Sequence, residues 1–251
     1  MLRVKNLSKS IKNNKRTFKI LENINLEVED GEFISIMGPS GAGKTTLLNI
    51  ISTIDRPTEG KVYYDEIDVH NLNNKHVSTF RRENIGFIFQ EYNLLDNMSI
   101  EDNIALPLVI ANENPDIIQN EVEKLAHFFG IKKHLKKYPY ELSGGQKQRV
   151  AAARAIINSP SIIFADEPTG ALDSKASSEL LNCLKEMNKN FNVTIIMVTH
   201  DAFAASYSDK ILFIKDGKLN ARIDSNGNRK EFFKKIMNLL TSMGGEISEF
   251  I

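Results

Sequence analysis

Apolar positions along this chain gather into short runs whose spacing separates strands from helices. Arg3 to Leu7 and Ile24 to Val28 alternate as strands do, and Asp30-Gly31 marks a turn into Glu32-Phe33-Ile34-Ser35-Ile36-Met37, which reads as a buried strand. Thr46-Leu47-Leu48-Asn49-Ile50-Ile51 follows with helical spacing. Lys61 to Tyr64 and Ile85 to Phe89 are further strand candidates, and the pattern turns mainly helical from about Glu101 to Ile157. Short apolar runs return at Ile162 to Ala165, Val193 to Val198 and Lys210 to Ile214, separated by helix-like stretches. Asp216-Gly217 closes a late hairpin, and Arg229 to Met243 has the face of an amphipathic helix. Such alternation predicts an α/β fold with a mostly parallel sheet covered by helices. The expected partition is a discontinuous core over about 1–90 and 158–228, fronted by an N-terminal β layer. It is interrupted by a helical subdomain over about 91–157 and followed by a helical extension over about 229–251.

Composition narrows the function classes. The 251 residues carry 32 Lys plus Arg and 32 Asp plus Glu, a balance that argues against a surface built for nucleic acid or anionic lipid. Lys132 to Lys137 and Lys12 to Lys19 read as solvated faces. One cysteine, Cys183, cannot form an internal disulfide and sits in a helical pattern, where a small apolar filler is the expected role. The N-terminus lacks the apolar core of a signal peptide, and no run approaches the roughly 20 residues that span a bilayer. The expected location is cytoplasmic, docked on a membrane partner.

The chemistry is concentrated between the first buried strand and helix. Gly38-Pro39-Ser40-Gly41-Ala42-Gly43-Lys44-Thr45 fits G-x-x-x-x-G-K-[ST] without a mismatch. Gly38, Gly41 and Gly43 free the backbone to turn its N–H groups on a phosphate, and the helix dipole beginning near Lys44 adds to the attraction. Lys44 is the point charge for the terminal phosphates; the Thr45 hydroxyl suits a magnesium shell, with Thr46 at its side. A second anion-binding helix start is predicted at Leu142-Ser143-Gly144-Gly145-Gln146. Ser143 alone fits a helix N-cap, but two glycines beside a separate nucleotide loop favour a ligand role. At Ile162-Ile163-Phe164-Ala165-Asp166-Glu167 an apolar strand delivers two carboxylates. Strand alternation points them to opposite sides, giving Asp166 the magnesium and Glu167 the attacking water. Gln90 and His200 each follow a strand, positioned for water or magnesium and for the terminal phosphate respectively.

Taken together these residues resemble the ATP-binding subunit of an ABC transporter, over nearly the whole chain. In that family Gly38 to Thr45 is Walker A, Gln90 lies in the Q-loop and Leu142 to Gln146 is the signature. Ile162 to Asp166 is Walker B with Glu167 as catalytic base, Ala171-Leu172-Asp173 the D-loop and His200 the switch histidine. The resemblance thus implies a P-loop NTPase core, ATP and Mg2+ as ligands, and hydrolysis. Glu83 to Leu95, Tyr138 to Glu141 and Pro168 to Asp173 are similar to the macrolide-export and lipoprotein-release branch. Ser161 to Ser174, Thr194 to Asp201, Ala204 to Tyr207 and Arg229 to Met237 are most similar to its bacitracin-type peptide-resistance ATPases.

That resemblance implies partners: a second copy of the chain, joined head to tail on ATP through Ser143, Gly144 and Gly145, and a permease with a large extracellular domain. A sensor histidine kinase often stands beside it. Leu94, Leu95 and Met98 are candidate permease contacts. One position departs from the family, which stacks an aromatic residue on adenine where this chain has Ile11; either Phe18 substitutes from the next strand or Ile11 packs on the base through apolar contact alone. A soluble ABC ATPase acting on DNA or ribosomes is the alternative class, disfavoured by one cassette and no sustained heptads. A module that binds ATP without hydrolysing it is disfavoured by Glu167 and His200.

Overall fold

The computed structural model describes residues 1–13 and 16–243. Two sheets organise them. Strands β1 (Leu2–Asn13) and β2 (Arg16–Val28) form a long antiparallel hairpin, joined by β4 (Glu59–Tyr64) and the short β5 (Ile67–Asp68) in the order β2-β1-β4-β5. The second sheet has the order β10-β9-β3-β8-β7-β6. Its strands β6 (Ile85–Ile88), β7 (Ile162–Asp166), β8 (Thr194–Val198), β3 (Phe33–Met37) and β9 (Lys210–Lys215) run parallel. Strand β10 (Lys218–Asp224) closes one edge antiparallel through the Asp216-Gly217 turn.

The apolar runs are continuous because both faces of this sheet are covered. Alternate residues go to different partners. Phe33, Ile163, Ile195 and Met197 pack with Ile104, Leu125 and Val150 of helices α3 (Ile100–Ile110), α4 (Pro115–Phe128) and α5 (Gly144–Ile156). Ile34, Ile36, Phe164 and Ile196 pack with Leu47 and Leu48 of α1 (Lys44–Ile51) and with Leu2, Val4 and Ile24 of the antiparallel layer. Helix α6 (Ser174–Phe191) adds Leu180, Leu184 and Met187 to the first face and is capped by Asp173, whose side chain accepts from Ala176 N–H at 2.8 Å.

The short α7 (Ala202–Ala205) follows β8 directly, and α8 (Arg229–Ser242) docks on it. Phe232, Ile236 and Leu240 recur every four residues, one stripe of a helix, and are fully buried against Ala202, Ala205 and Phe213. Burying each is worth about 1.5–3 kcal/mol. One helix was not read from the sequence: α2 (Asn74–Asn84) has no buried residue, so no apolar stripe announces it.

Candidate active site

The order of the parallel strands puts three loops side by side. Strand β3 lies between β9 and β8, and β7 follows β8, so the C-terminal ends of β3, β8 and β7 are neighbours. The Gly38–Thr45 loop leaves β3, His200 leaves β8, and Asp166 and Glu167 leave β7. Backbone bonds tie these ends together: Thr199 N–H donates to Ile36 O at 3.2 Å and Glu167 N–H to Val198 O at 2.9 Å. They enclose a cleft of about 860 Å³ lined by Ile20, Pro39, Ser40, Gly41, Gly43, Lys44, Thr45, Thr46, Glu167 and His200.

Glycine is required at both ends of the loop. A Cβ on Gly38 (φ +154) would stand 2.0 Å from Ile214 O, and one on Gly43 (φ +97) 2.9 Å from Ile20 O. Gly43 precedes α1, whose first turn holds no acidic side chain and whose start has no side-chain cap. The amides there keep their capacity for an anion, as a phosphate cradle demands. Lys44 is buried, its Nζ donating to Gly38 O at 2.8 Å and Pro39 O at 3.0 Å. Burial pulls the Lys44 pKa below its ordinary value, and the charges of Glu167 and Asp166 work against that fall.

The two carboxylates do not divide as strand alternation predicts. Strand β7 ends at Asp166, and Glu167 turns left-handed at φ +45, so both carboxylates act on Lys44 and on each other. Burial and the neighbouring Glu167 charge raise the Asp166 pKa, opposed by the Thr45 hydroxyl at 3.4 Å and by Lys44. Glu167 Oε2 lies 2.8 Å from His200 Nδ1. A hydroxyl next to a carboxylate is a hard oxygen donor set, which fits a magnesium ion shared with nucleotide phosphates.

Other candidates fall outside the cleft. Ile11 and Phe18 face each other across the β1–β2 pair, each 51% exposed, and neither lines it; Ile20, which sits at a register irregularity of that pair, does. The pairing steps from Ser10 with Lys19 to Lys9 with Leu21 and passes over Ile20, so regular alternation along β2 gives no pointer to it. Gln90 does not line it either: a Cβ on Gly170 would meet its Nε2 at 3.0 Å, so the amide rests against the loop after β7. Ala42 is buried behind the phosphate loop.

Ser143, Gly144, Gly145 and Gln146 stand apart, at the start of α5. Here the N-cap role that Ser143 alone fits is realised. Gln146 N–H donates to Ser143 Oγ at 3.4 Å and Ser143 N–H to Gln146 Oε1 at 3.0 Å, a reciprocal capping box. Two residues of α5 went unread. Gln148, fully buried, donates to Phe89 O at 3.1 Å and Pro168 O at 2.7 Å, fastening the chain beside both Gln90 and Glu167. Arg154 donates to Tyr92 O at 2.9 Å and Asn93 O at 2.6 Å. Nothing in the sequence pattern marks either, since their partners are backbone carbonyls distant along the chain.

A phosphate loop, a carboxylate and a histidine in one cleft, with a second carboxylate behind Thr45 and a glycine-rich helix start outside it, are matched by one family. The family model described as ABC transporter covers residues 21–170. The chain belongs to the ABC transporter family. This ABC ATPase is 46% identical over 246 residues to the bacitracin export ATP-binding protein BceA of Halalkalibacterium halodurans, covering 98% of this chain and 97% of BceA. It is 46% identical over 219 residues to the macrolide export ATP-binding/permease protein MacB of Campylobacter jejuni, which spans 87% of this chain and 33% of MacB. Among solved structures, the ATP-binding cassette MJ0796 of Methanocaldococcus jannaschii, a dimer in a post-hydrolysis state bound to ADP and Pi, has a TM-score of 0.83. It is 38% identical, over 91% of this chain and 100% of that one. The ABC ATPase therefore hydrolyses ATP as the energy-supplying subunit of a membrane transporter. No helix among the described residues is long and apolar enough to cross a membrane.

Proposed function

We propose that this ATPase powers a permease handling peptide antibiotics of the bacitracin type, for their export, removal or resistance signalling. The observation that carries the reading is the match to BceA across 98% of the chain, which extends over the C-terminal helix docked behind His200. The MacB match, over 87% of the chain, supports a macrolide substrate as the second reading. Measuring ATPase activity of the complex with its permease distinguishes them: bacitracin-type peptide should stimulate turnover and macrolide should not. Stimulation by macrolide alone would reverse the order.

Within the cleft the proposed division of labour follows from position. The Gly38 to Thr46 loop and Lys44 hold the phosphates of ATP. Mg2+ held by Thr45 and Asp166, with Gln90 brought in when the two parts of the chain close, would neutralise charge on the phosphate oxygens. Glu167 orients and polarises the attacking water, and His200, bonded to Glu167 through Nδ1, fixes that carboxylate and reaches the terminal phosphate. Ile20 is the apolar contact for the base in place of Ile11 or Phe18.

The signature lies outside the cleft of its own chain, which supports a head-to-tail dimer in which Ser143, Gly144, Gly145 and Gln146 cap the ATP of the other copy. MJ0796 is itself dimeric in its solved structure. A groove of about 710 Å³ between α2, α3 and α5 is the proposed permease seat; Leu95, 42% exposed, and Phe89 line it, while Leu94 packs into the core. The permease, with a large extracellular domain, would hold the ATPase on the cytoplasmic face of the membrane and relay its state to a sensor histidine kinase. Glu167→Gln is expected to keep ATP binding, lower turnover by about 10²-fold or more and trap the dimer. Wild-type hydrolysis in that variant would remove Glu167 from the role of base.

A further inference from the structure

The lysine-rich segment before the signature is solvated at its lysines but not at its histidine. His134 ends a 3-10 turn (Lys132–His134) and is buried. Backbone bonds hold its segment to the start of α3, Ile100 N–H to Lys137 O and Glu101 N–H to Leu135 O, both at 2.9 Å. The His134 ring reaches Gln146, Nε2 to Nε2 at 3.3 Å.

The chemistry of that pair is determined by its neighbour. Ser143 N–H can only donate, so the Gln146 atom facing it at 3.0 Å is the carbonyl Oε1. The Gln146 amide nitrogen is thereby turned to the ring, and it too can only donate. The ring nitrogen it meets must then be an unprotonated acceptor, which places the imidazole proton on Nδ1. Among the described residues, that Nδ1 is buried without a partner. Leaving a buried donor unsatisfied is unfavourable, so the tautomer is held by Gln146 rather than by any bond of its own proton.

We propose that His134 is a positioning residue for the signature: its unprotonated Nε2 accepts from the Gln146 amide and keeps Gln146 and Ser143 in the reciprocal cap. The inference rests on the reading of that cap as the half-site for a second copy's ATP. It also gives the half-site an acid limit. A protonated ring donates from both nitrogens, and Gln146 could accept only by turning Oε1 away from Ser143 N–H, which opens the cap. The charges that shift the ring are those of Lys137 and Lys133 on its own segment, and Gln146, the α5 group facing it, is neutral. Burial, then these lysines, lowers the His134 pKa, so the neutral form prevails at neutral pH.

Two measurements on the full chain test this. In the Glu167→Gln background, ATP-driven dimerisation is followed by light scattering from about pH 7.5 to about pH 5.5. His134→Leu should raise the ATP needed for half-dimerisation roughly tenfold with nucleotide binding by the monomer unchanged, and His134→Gln, an acceptor that does not titrate, should restore it within about twofold and flatten the acid loss. Dimerisation of His134→Leu equal to its parent, or an acid loss that persists in His134→Gln, would overturn the proposal. The second measurement is independent of any dimer: ring nitrogen NMR should show His134 protonated at Nδ1, and a proton on Nε2 would overturn the bond itself. Should the Glu167→Gln chain not dimerise on ATP at all, the half-site reading fails, and the tautomer still decides whether His134 holds Gln146.

Discussion

At the scale of single residues, the cleft is a compromise between holding charge and remaining folded. Asp166 has its pKa raised, so between the ordinary carboxylate range and that raised value the folded chain keeps the proton longer than the unfolded chain does. Stability contributed at this position therefore falls as pH rises through that window, and at neutral pH ionised Asp166 weakens the fold. Asp166→Asn should raise the melting temperature of the nucleotide-free protein by about 2–4 °C, the effect of roughly 1 kcal/mol at this size, while abolishing the further rise produced by Mg2+ with ATP. An unchanged response to Mg2+ with ATP would take the magnesium role from Asp166. Cys183, buried in α6, has its thiol pushed up to about 11 by burial. Alkylation near pH 8 should therefore be slow in the native protein and reach the rate of a free thiol only through the unfolding transition in urea. At this scale the residue types of Walker A, Glu167 and His200 were legible, because phosphate chemistry restricts what can stand there. The left-handed turn at Glu167 was not, since backbone alternation holds only inside a strand.

At the scale of elements, pattern reading succeeded where one face is apolar and failed where polar groups do the organising. The buried strands and the Phe232-Ile236-Leu240 stripe of α8 declare themselves by spacing. Helix α2 does not; its one local cue is Asn73, whose side chain accepts from His76 N–H at 3.0 Å. Asn103, fully buried on α3, was equally silent. Its Oδ1 accepts from Leu95 N–H at 2.8 Å and its Nδ2 donates to the carbonyls of Leu95, Met98 and Ser99. Asn103 thus shapes the segment that presents Leu95 to the groove. Asn103→Leu, similar in branched shape, should cost about 1–3 kcal/mol in urea unfolding by stranding the Leu95 N–H, and should weaken permease association without altering nucleotide binding by the isolated chain. A variant as stable as wild type would show that the loop does not depend on this side chain.

At the scale of the whole molecule, the separation between Lys44 and Ser143 on different elements is the property that matters most. Placing bulk and charge at the cap, Ser143→Arg should leave nucleotide binding by the monomer intact and block ATP-driven dimerisation; unchanged dimerisation in light scattering would count against the head-to-tail arrangement. The sequence by itself determined the order of the buried strands and of the helices with an apolar face, the phosphate loop and the family, because local sterics, apolar periodicity and phosphate binding each limit the residues allowed. It could not determine what meets across the chain. Only the tertiary structure decided that Ile20 rather than Ile11 or Phe18 lines the cleft, that Asp166 and Glu167 share one site, and that Gln90 rests against Gly170. It also decided that a histidine within a run of lysines is buried against the signature. Hydrogen bonds to distant carbonyls and the packing of loops depend on the order of strands in the sheet, which has no counterpart in local spacing along a single chain.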